Sequence, residues 1–576
     1  MTKMLRTSNS RGGSAISEWL LSAAGPGSGS WRAAAVLGTC LLLLAFSLRF
    51  AALIGQPLFI DELYAHFAAA AWNDQGKLAL YDGEYLRASG FTKFIALITR
   101  GSGPNFFVER MPAAVAGALS VLVLFVWARR HIGLGAAVLA AFMLCIADVS
   151  LELSSYVRFY TLQGLFVLAA VALVYEATAA DASKLMRASG VLAVPLLIVA
   201  IHLHVLTYIA VLGILTWVSL DLVVRHRSLL WSRRRLVAII LAAGACFSVV
   251  TGVALWRAVW APLFLPLINQ YFDVAAWNLP RAHQYFYYFA AMMKSAPILL
   301  ILFPISAAIA WLRAPRFTGL CVVMFLTAFI CLSIGGMKNE RYLAFVLPFF
   351  FLVISTALLA VTPSLIDWAR RAGAQPRAAG NITSGAMIAV CILSLLAVAF
   401  VNPIFTDSPG MIKRGLKHAI SAKANGSGWP DDGLWTEEFA KIQSLVADSP
   451  VVVTADPFRT YMYLGGFDFA VESYLSPELG EFTTDPRTGR PQISTAESLR
   501  KIQSCFGSGV FLTTFGRWPD EYHLNAAFAQ QLEESSKFIL IGPNRRESVY
   551  VFRWSGTADK NDVDCPRITA MARRAE

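Results

Sequence analysis

Apolar residues along this chain come in runs of about twenty, the length that carries an α-helix across roughly 30 Å of hydrocarbon. About eleven spans are predicted on that basis, near 33–56, 111–128, 133–149, 159–176, 190–204, 206–224, 236–256, 295–312, 317–334, 342–361 and 384–401. From about Asn402 the pattern changes. Polar residues dominate, no run is long enough to span, and the stretches "PVVVTAD", "GVFLTTF", "KFILIGP" and "SVYVFRW" predict strands. The expected architecture is a tail (1–32), a polytopic α-helical membrane module (33–401) and a C-terminal soluble α/β domain (402–576).

The 190–224 run is the one ambiguous span. About 35 residues of helix would make a rod of about 52 Å, too long for one crossing. Two spans joined by a tight turn near "HLHVLT" fit better, and place His202 and His204 at one membrane surface.

Composition agrees with a membrane protein: 56% of residues are hydrophobic and 15% charged, with a mean hydropathy of +0.56. The net charge of +12 would suggest nucleic acid in a soluble chain. Here the basic residues cluster in short turns instead: Arg129 and Arg130, Lys184 to Arg187, Arg225 to Arg235, Arg313 and Arg316, and Arg370 to Arg377. All fall on one side if the N-terminus is cytoplasmic, as the positive-inside preference requires. No nucleic-acid partner is expected. A basic, Gly/Ser-rich stretch precedes the first run and no small-residue cleavage site follows it, so that run is expected to be an uncleaved anchor. An odd number of crossings then puts 402–576 outside, in a periplasm or its equivalent. Cys40, Cys145, Cys246, Cys321, Cys331 and Cys391 fall in spans as small apolar residues. Cys505 and Cys565 lie in the outer domain, where a disulfide can persist.

Candidate chemistry begins at "LFIDELYAHF", which sets Asp61 and Glu62 side by side just past the first span. They open an outer loop of about 57–110 with two amphipathic stretches suited to the interface. The outer side also holds basic residues that run against the positive-inside preference: Arg87, Lys93, Arg110, Arg158, Arg257, Arg281, Lys294, Lys338 and Arg341. Arg49, inside the first run, calls for a partner because an intramembrane charge costs roughly 2.5–3.5 kcal/mol. A loop carboxylate is the expected one. Cations at a membrane surface suit a lipid phosphate, and a carboxylate suits a hydroxyl that must lose its proton. Sugar transfer from a lipid-phosphate donor to an acceptor hydroxyl uses both. The aromatic segment 259–289 reads as interfacial, with a lid function as an addition.

Four strings, in order, resemble the GT-C membrane glycosyltransferases, in the branch containing protein O-mannosyltransferases and aminoarabinose transferases. They are "LRFAALIGQPLFIDELYAHF", "ERMPAAVAGALSVLVLFVWARRHIG", "SSYVRFYTLQGLFVLAA" and "NERYLAFVLPFFFLV", within about 33–360. The resemblance implies an inverting transferase that uses a polyprenyl-phosphate sugar, with the catalytic carboxylates on Asp61 and Glu62. "GEYLRASGFTKFIAL" departs from the family's His-Pro-Pro or Lys-Pro-Pro element, which leaves Glu84 open as a second loop carboxylate.

In the expected mechanism Asp61 takes the acceptor's proton while Arg158, Arg341, Lys338 and Arg87 hold the donor phosphate. Glu84, Tyr85, His66, His202, His204 and Tyr160 are further candidates. Each has a plainer reading. Asp61 and Glu62 suit a helix N-terminus, Glu62 can brace the loop, and the arginines and Lys338 can anchor headgroups. His66 shares a helical face with Glu62, so that a divalent metal is a possible cofactor, or it is simply interfacial. Expected partners are a lipid-linked sugar, membrane lipid, and a glycan, lipid or protein acceptor, at a bacterial inner membrane. The rival readings are a lipid-linked sugar flippase and a non-catalytic glycan-binding membrane protein.

Overall fold

The computed structural model describes residues 31–225 and 283–373, save a few single positions, and most of 397–572. Seven helices among these are long and apolar enough to cross a membrane, or up to eight if one bent pair counts as a span. The protein is a multi-pass membrane protein. The helices of the first half are α1 (Trp31–Gly55), α2 (Ile60–Gln75), α3 (Ser89–Thr99), α4 (Phe106–Ile132), α5 (Leu134–Ile146), α6 (Asp148–Leu153), α7 (Tyr160–Ala177), α8 (Lys184–Ser189), α9 (Ala193–Leu203) and α10 (Thr207–Arg225). Then follow α11 (Tyr287–Ser295), α12 (Pro297–Arg313), α13 (Pro315–Ile334) and, after a 3₁₀ turn over Glu340–Val346, α14 (Leu347–Gly373).

Predicted and observed spans agree closely where the sequence has a clear break. The 190–224 run is two helices meeting at a three-residue turn between Leu203 and Thr207. The 133–149 run is shorter than predicted: α5 has 13 residues, too few to cross alone. The 295–312 run is bent from its predecessor by 104°, with Pro297 opening α12 where a missing N–H costs nothing. The span predicted at 236–256, nearly all of that at 384–401, and most of the 259–289 loop lie outside the described residues.

The two ends of the bundle differ in chemistry. At one end the basic turns converge: Arg316 and Arg225 both pair with Asp221, and Arg225 also donates to the Thr178 carbonyl. At the other end meet the close of α1, the start of α2, the N-termini of α4 and α7, the α9–α10 turn and the 3₁₀ turn before α14. The predicted first loop, 57–110, folds there as α2, a two-strand hairpin β1 (Ala79–Leu80) and β2 (Gly83–Glu84), and α3.

Arg49 corrects one expectation. It is fully buried, yet among the described residues its partners are not carboxylates: Nε donates to Ser154 Oγ at 3.1 Å, and Nη2 to Ser150 Oγ at 2.8 Å. Nη1 meets the carbonyls of Ala45 and Cys145. Short polar side chains in α6 and just past its end supply dipoles where a loop carboxylate was expected. The room for them comes from Gly117, where a Cβ would sit 2.5 Å from Arg49 Nε and closer still to Ser154 Oγ.

The C-terminal domain is built on a seven-stranded mixed sheet. Its strands are β3 (Val452–Thr454), β4 (Phe469–Val471), β5 (Phe482–Thr484), β6 (Pro491–Ile493), β7 (Gly509–Thr514), β8 (Lys537–Ile541) and β9 (Val549–Trp554), in the order β5-β6-β4-β3-β7-β9-β8. The four stretches read as strands from sequence are β3, β7, β8 and β9. The sheet is parallel through β6-β4-β3-β7 and antiparallel at both edges. Apolar side chains cover both faces, as a sheet that is parallel at its centre requires. Among the described residues it is accompanied by α15 (Phe439–Ala447), α16 (Pro457–Leu464), α17 (Ala496–Phe506), α18 (Ala526–Ser535) and α19 (Cys565–Met571). Cys505 at the end of α17 and Cys565 at the start of α19 are joined by a disulfide across 60 residues.

This domain rests on the first loop through α16. Arg459 donates to the Leu58 carbonyl at 3.0 Å, and Tyr81 Oη donates to the Pro457 carbonyl at 3.1 Å. Phe458 packs on Tyr64 with ring centroids 4.3 Å apart, and Tyr461 on Tyr81 at 3.9 Å. Tyr81 holds a left-handed backbone (φ 56°), which a bulky residue adopts at a cost of about 1–3 kcal/mol. Those contacts offset it.

Replacing Cys505 and Cys565 by serine releases a long loop in the unfolded domain and is expected to cost about 2–4 kcal/mol. The check is a thermal melt of the purified protein with and without reductant. Wild type melts earlier once reduced, and the double variant melts at the same temperature in both conditions.

Candidate functional site

The adjacent carboxylates of Asp61 and Glu62 point in different directions because α2 begins at Ile60, so successive side chains are turned about 100° apart. Glu62 turns inward and is fully buried. It takes a bidentate pair from Arg110, Nε to Oε1 at 2.8 Å and Nη2 to Oε2 at 2.7 Å. Its oxygens also accept the backbone N–H groups of Phe59 and Val157. Arg110 is equally buried, and Nη1 donates to the Leu53 and Gln56 carbonyls. Each group of this low-dielectric pair is satisfied, the condition under which a buried ion pair is tolerated. Glu62 therefore braces the site. Of the two readings open for it in the sequence, the supporting one matches its surroundings.

Asp61 turns outward and keeps about a fifth of its side chain exposed. Arg341 Nη1 lies 2.6 Å from its Oδ2, and Arg158 Nη2 lies 3.6 Å from the same oxygen. Arg158 Nη1 also donates to the Asp61 backbone carbonyl at 3.1 Å. Burial pushes the Asp61 carboxyl up, but the charges of Arg158, Arg341 and Arg87 outweigh it and hold the group below its ordinary range.

The two guanidiniums share a set of rings. Arg158 lies over Phe159 and Tyr160, at 4.9 and 5.6 Å, and Arg341 over Tyr160, Tyr342 and Phe59, at 5.3, 5.7 and 5.8 Å. Arg158 Nη1 also reaches Tyr85 Oη at 3.4 Å. Yet Arg158 Nε and Arg341 Nε are buried and make no hydrogen bond among the described residues. Buried donors left this way are uncommon and costly. Paired with planar, bidentate geometry, they suit an anion with several oxygens.

The structure thus brings Asp61, Arg158, Arg341, Tyr160 and Tyr85 together. Arg87 stands at their edge, exposed, close enough for its charge to act on Asp61. His204 is seated beside them, with Phe159, Tyr160 and Tyr342 at 5.3, 5.4 and 5.7 Å.

Other candidates are engaged elsewhere. The Lys338 ammonium donates to the carbonyls of Leu332, Ser333 and Gly335, which closes the C-terminus of α13 and uses all three of its protons. That is a helix cap in place of the expected phosphate contact. His66 pairs with Glu109 at 2.9 Å and stacks on Phe106, both buried, so it fastens α2 to α4. Glu84 is exposed on β2 and forms no ion pair among the described residues. His202 Nε2 accepts the Gly90 N–H at 3.2 Å and so pins the start of α3. Among the described residues no three His, Cys, Asp or Glu side chains are placed to hold a metal ion. The pair that suggested one, Glu62 and His66, is divided between Arg110 and Glu109. Arg110, Phe59 and Tyr342 were not assigned to the site from sequence. The signal for Arg110 was its place in "ERMPAAV", on the side that should lack arginines.

No protein-family model and no curated protein sequence matches the chain. Solved structures do resemble it. ArnT from Cupriavidus metallidurans bound to undecaprenyl phosphate aligns with a TM-score of 0.53 at 15% identity, over 91% of this chain and 98% of that one. The archaeal oligosaccharyltransferase AglB from Archaeoglobus fulgidus, in complex with an inhibitory peptide and a dolichol-phosphate, aligns with 0.55 at 10% identity, over 92% of this chain and 75% of that one. Likeness at such identities speaks for the fold. This chain has the fold of the GT-C membrane glycosyltransferases.

Removing one partner of the buried pair leaves an uncompensated charge, a loss of about 3–5 kcal/mol. Glu62→Ala and Arg110→Ala are each expected to lower the melting temperature in detergent strongly, whereas Asp61→Asn leaves it near wild type. Equal destabilisation by Asp61→Asn and Glu62→Ala would contradict the division of roles between the two neighbours.

Proposed function

We propose that this GT-C-fold protein is a glycosyltransferase that moves a sugar from a polyprenyl-phosphate donor to an acceptor hydroxyl at the outer face of the membrane. The observation that carries the reading is the part-exposed Asp61 carboxylate beside two guanidiniums that each retain a buried Nε–H with no partner among the described residues. The base and the anion holder that the reaction needs lie within one side chain of each other. The polyprenyl phosphates in the two similar structures support the donor class. The gathering of these charges at one end of the bundle favours this reading over a flippase, which calls for ionisable groups near mid-depth. Following the positive-inside pattern, the N-terminus is cytoplasmic and the C-terminal domain stands outside, as in a bacterial inner membrane.

The acceptor oxygen attacks the anomeric carbon on the face opposite the phosphate. The bond from that carbon to the phosphate oxygen breaks, and its electron pair leaves with the polyprenyl phosphate. The acceptor's proton passes to Asp61, and the anomeric configuration inverts. Arg158 and Arg341 carry the charge that grows on the leaving phosphate, in a site partly closed to water, where such charges count for more. The acceptor is a glycan, lipid or protein hydroxyl of the cell envelope.

Asp61→Asn is expected to fold and to lose at least about 100-fold in transfer rate, the lower bound for general-base help. The assay follows turnover of a panel of polyprenyl-phosphate sugars by purified protein, with and without chelator. Normal turnover by folded Asp61→Asn overturns the assignment. The pH profile carries a second check. Because the arginines hold Asp61 below the ordinary carboxylate range, the base is fully ionised at neutral pH, and acid inactivation sets in only below that range. A profile whose acid limb vanishes in Asp61→Asn supports the reading, and an acid limb near pH 6–7 speaks against it.

A further inference from the structure

His204 lies in the turn between α9 and α10, and its ring packs against the aromatic side chains that Arg158 and Arg341 stack upon. Tyr160 is common to all three, and the charges of Arg158 and Arg341 are near enough to act on the imidazole. Its Nδ1 accepts the backbone N–H of Leu206 at 3.1 Å. A backbone N–H can only donate, so Nδ1 carries no proton and the neutral ring holds its hydrogen on Nε2. Burial, with the charges of Arg87, Arg158 and Arg341, pushes this imidazole well below its ordinary range, so the ring is neutral at physiological pH. Among the described residues Nε2 has no hydrogen-bond partner. The turn therefore fixes the tautomer and leaves one oriented N–H donor beside two cations.

We propose that the Nε2–H of His204 donates a hydrogen bond to a phosphate oxygen of the lipid donor, as a third arm with Arg158 and Arg341. This rests on the transferase reading and adds a binding residue to it. A neutral donor has a specific use here. A third full positive charge would deepen the grip on Asp61 as well as on phosphate, while an N–H dipole attracts the anion at closer range and leaves the base less burdened. His202, two residues earlier, supplies no such donor, since its own Nε2 accepts from Gly90.

The two amide side chains separate the functions of the ring. Asn at 204 can accept the Leu206 N–H through its Oδ1, an Asx-turn, but lacks a group at the Nε2 position. Gln at 204 reaches that position with an N–H and gives up the Nδ1 acceptance. Binding of undecaprenyl phosphate and of undecaprenol to the purified full-length protein is measured by native mass spectrometry. His204→Asn is expected to bind undecaprenyl phosphate about tenfold or more weakly, the scale of a lost hydrogen bond to a charged group. It should bind undecaprenol like wild type, and His204→Gln should retain phosphate binding within about threefold. Wild-type affinity in His204→Asn overturns the proposal, as does parallel loss of both lipids in both variants, which marks a role in shape alone. If His204→Asn does not fold, His204→Gln decides: retained phosphate binding supports the donor, and its loss overturns it. Wild-type protein that binds undecaprenol and undecaprenyl phosphate equally overturns the transferase reading, and this inference with it.

Discussion

The bidentate contact between Glu62 and Arg110 governs the geometry of the membrane surface of this protein. Three segments distant in sequence converge on one carboxylate: the start of α2, the start of α4 through Arg110, and the Val157 backbone just before α7. Because Val157 is fixed to Glu62, the next residue, Arg158, is delivered to the carbonyl of the preceding one, Asp61. The brace and the reactive group are neighbours in the chain, so positional error between them is small. Burying two charges is expensive, and satisfying every lone pair and proton around them is what makes the arrangement tolerable. Its return is specificity of position more than stability.

The same adjacency explains what the sequence disclosed and what it concealed. An acidic pair past an apolar run, facing arginines on the side that should lack them, marked the region. It did not say which carboxylate faces in. That depends on where α2 begins, since a start one residue later would turn both side chains by about 100°. Arg158 and Arg341 stood out because a cation outside needs a reason. Lys338 stood out for the same reason and proved to satisfy three carbonyls at a helix end, a local need that leaves no mark in composition. His66 and Glu109 are 43 residues apart, and only the packing of α2 on α4 joins them. Arg49 found serine hydroxyls and carbonyls instead of a carboxylate, because Gly117 opens a space that a single glycine in an apolar run does not advertise.

Spans were legible where hydropathy and turn chemistry agreed, as at the break between His202 and Thr207. They were misjudged where a helix gains stability from neighbours and not from length: α5 is too short to cross, yet packs against α1, α4 and α14. In the soluble domain β3, β7, β8 and β9 were plain in the apolar runs. The strands β4, β5 and β6 are as short as β3 but lack its run of valines, and so carry too little pattern to be read alone.

The contact between α16 and the first loop has a bearing on how such proteins diverge. Both of its hydrogen bonds are accepted by main-chain carbonyls, those of Leu58 and Pro457. Any residue offers a carbonyl, so on the accepting side of these two bonds mutation is nearly free, and selection acts on the donors Arg459 and Tyr81 and on the few rings packed beside them. Two chains could preserve this joint to a fraction of an ångström while sharing almost no letters across it. Kinship between them would then be visible in shape long after it had faded from the alphabet.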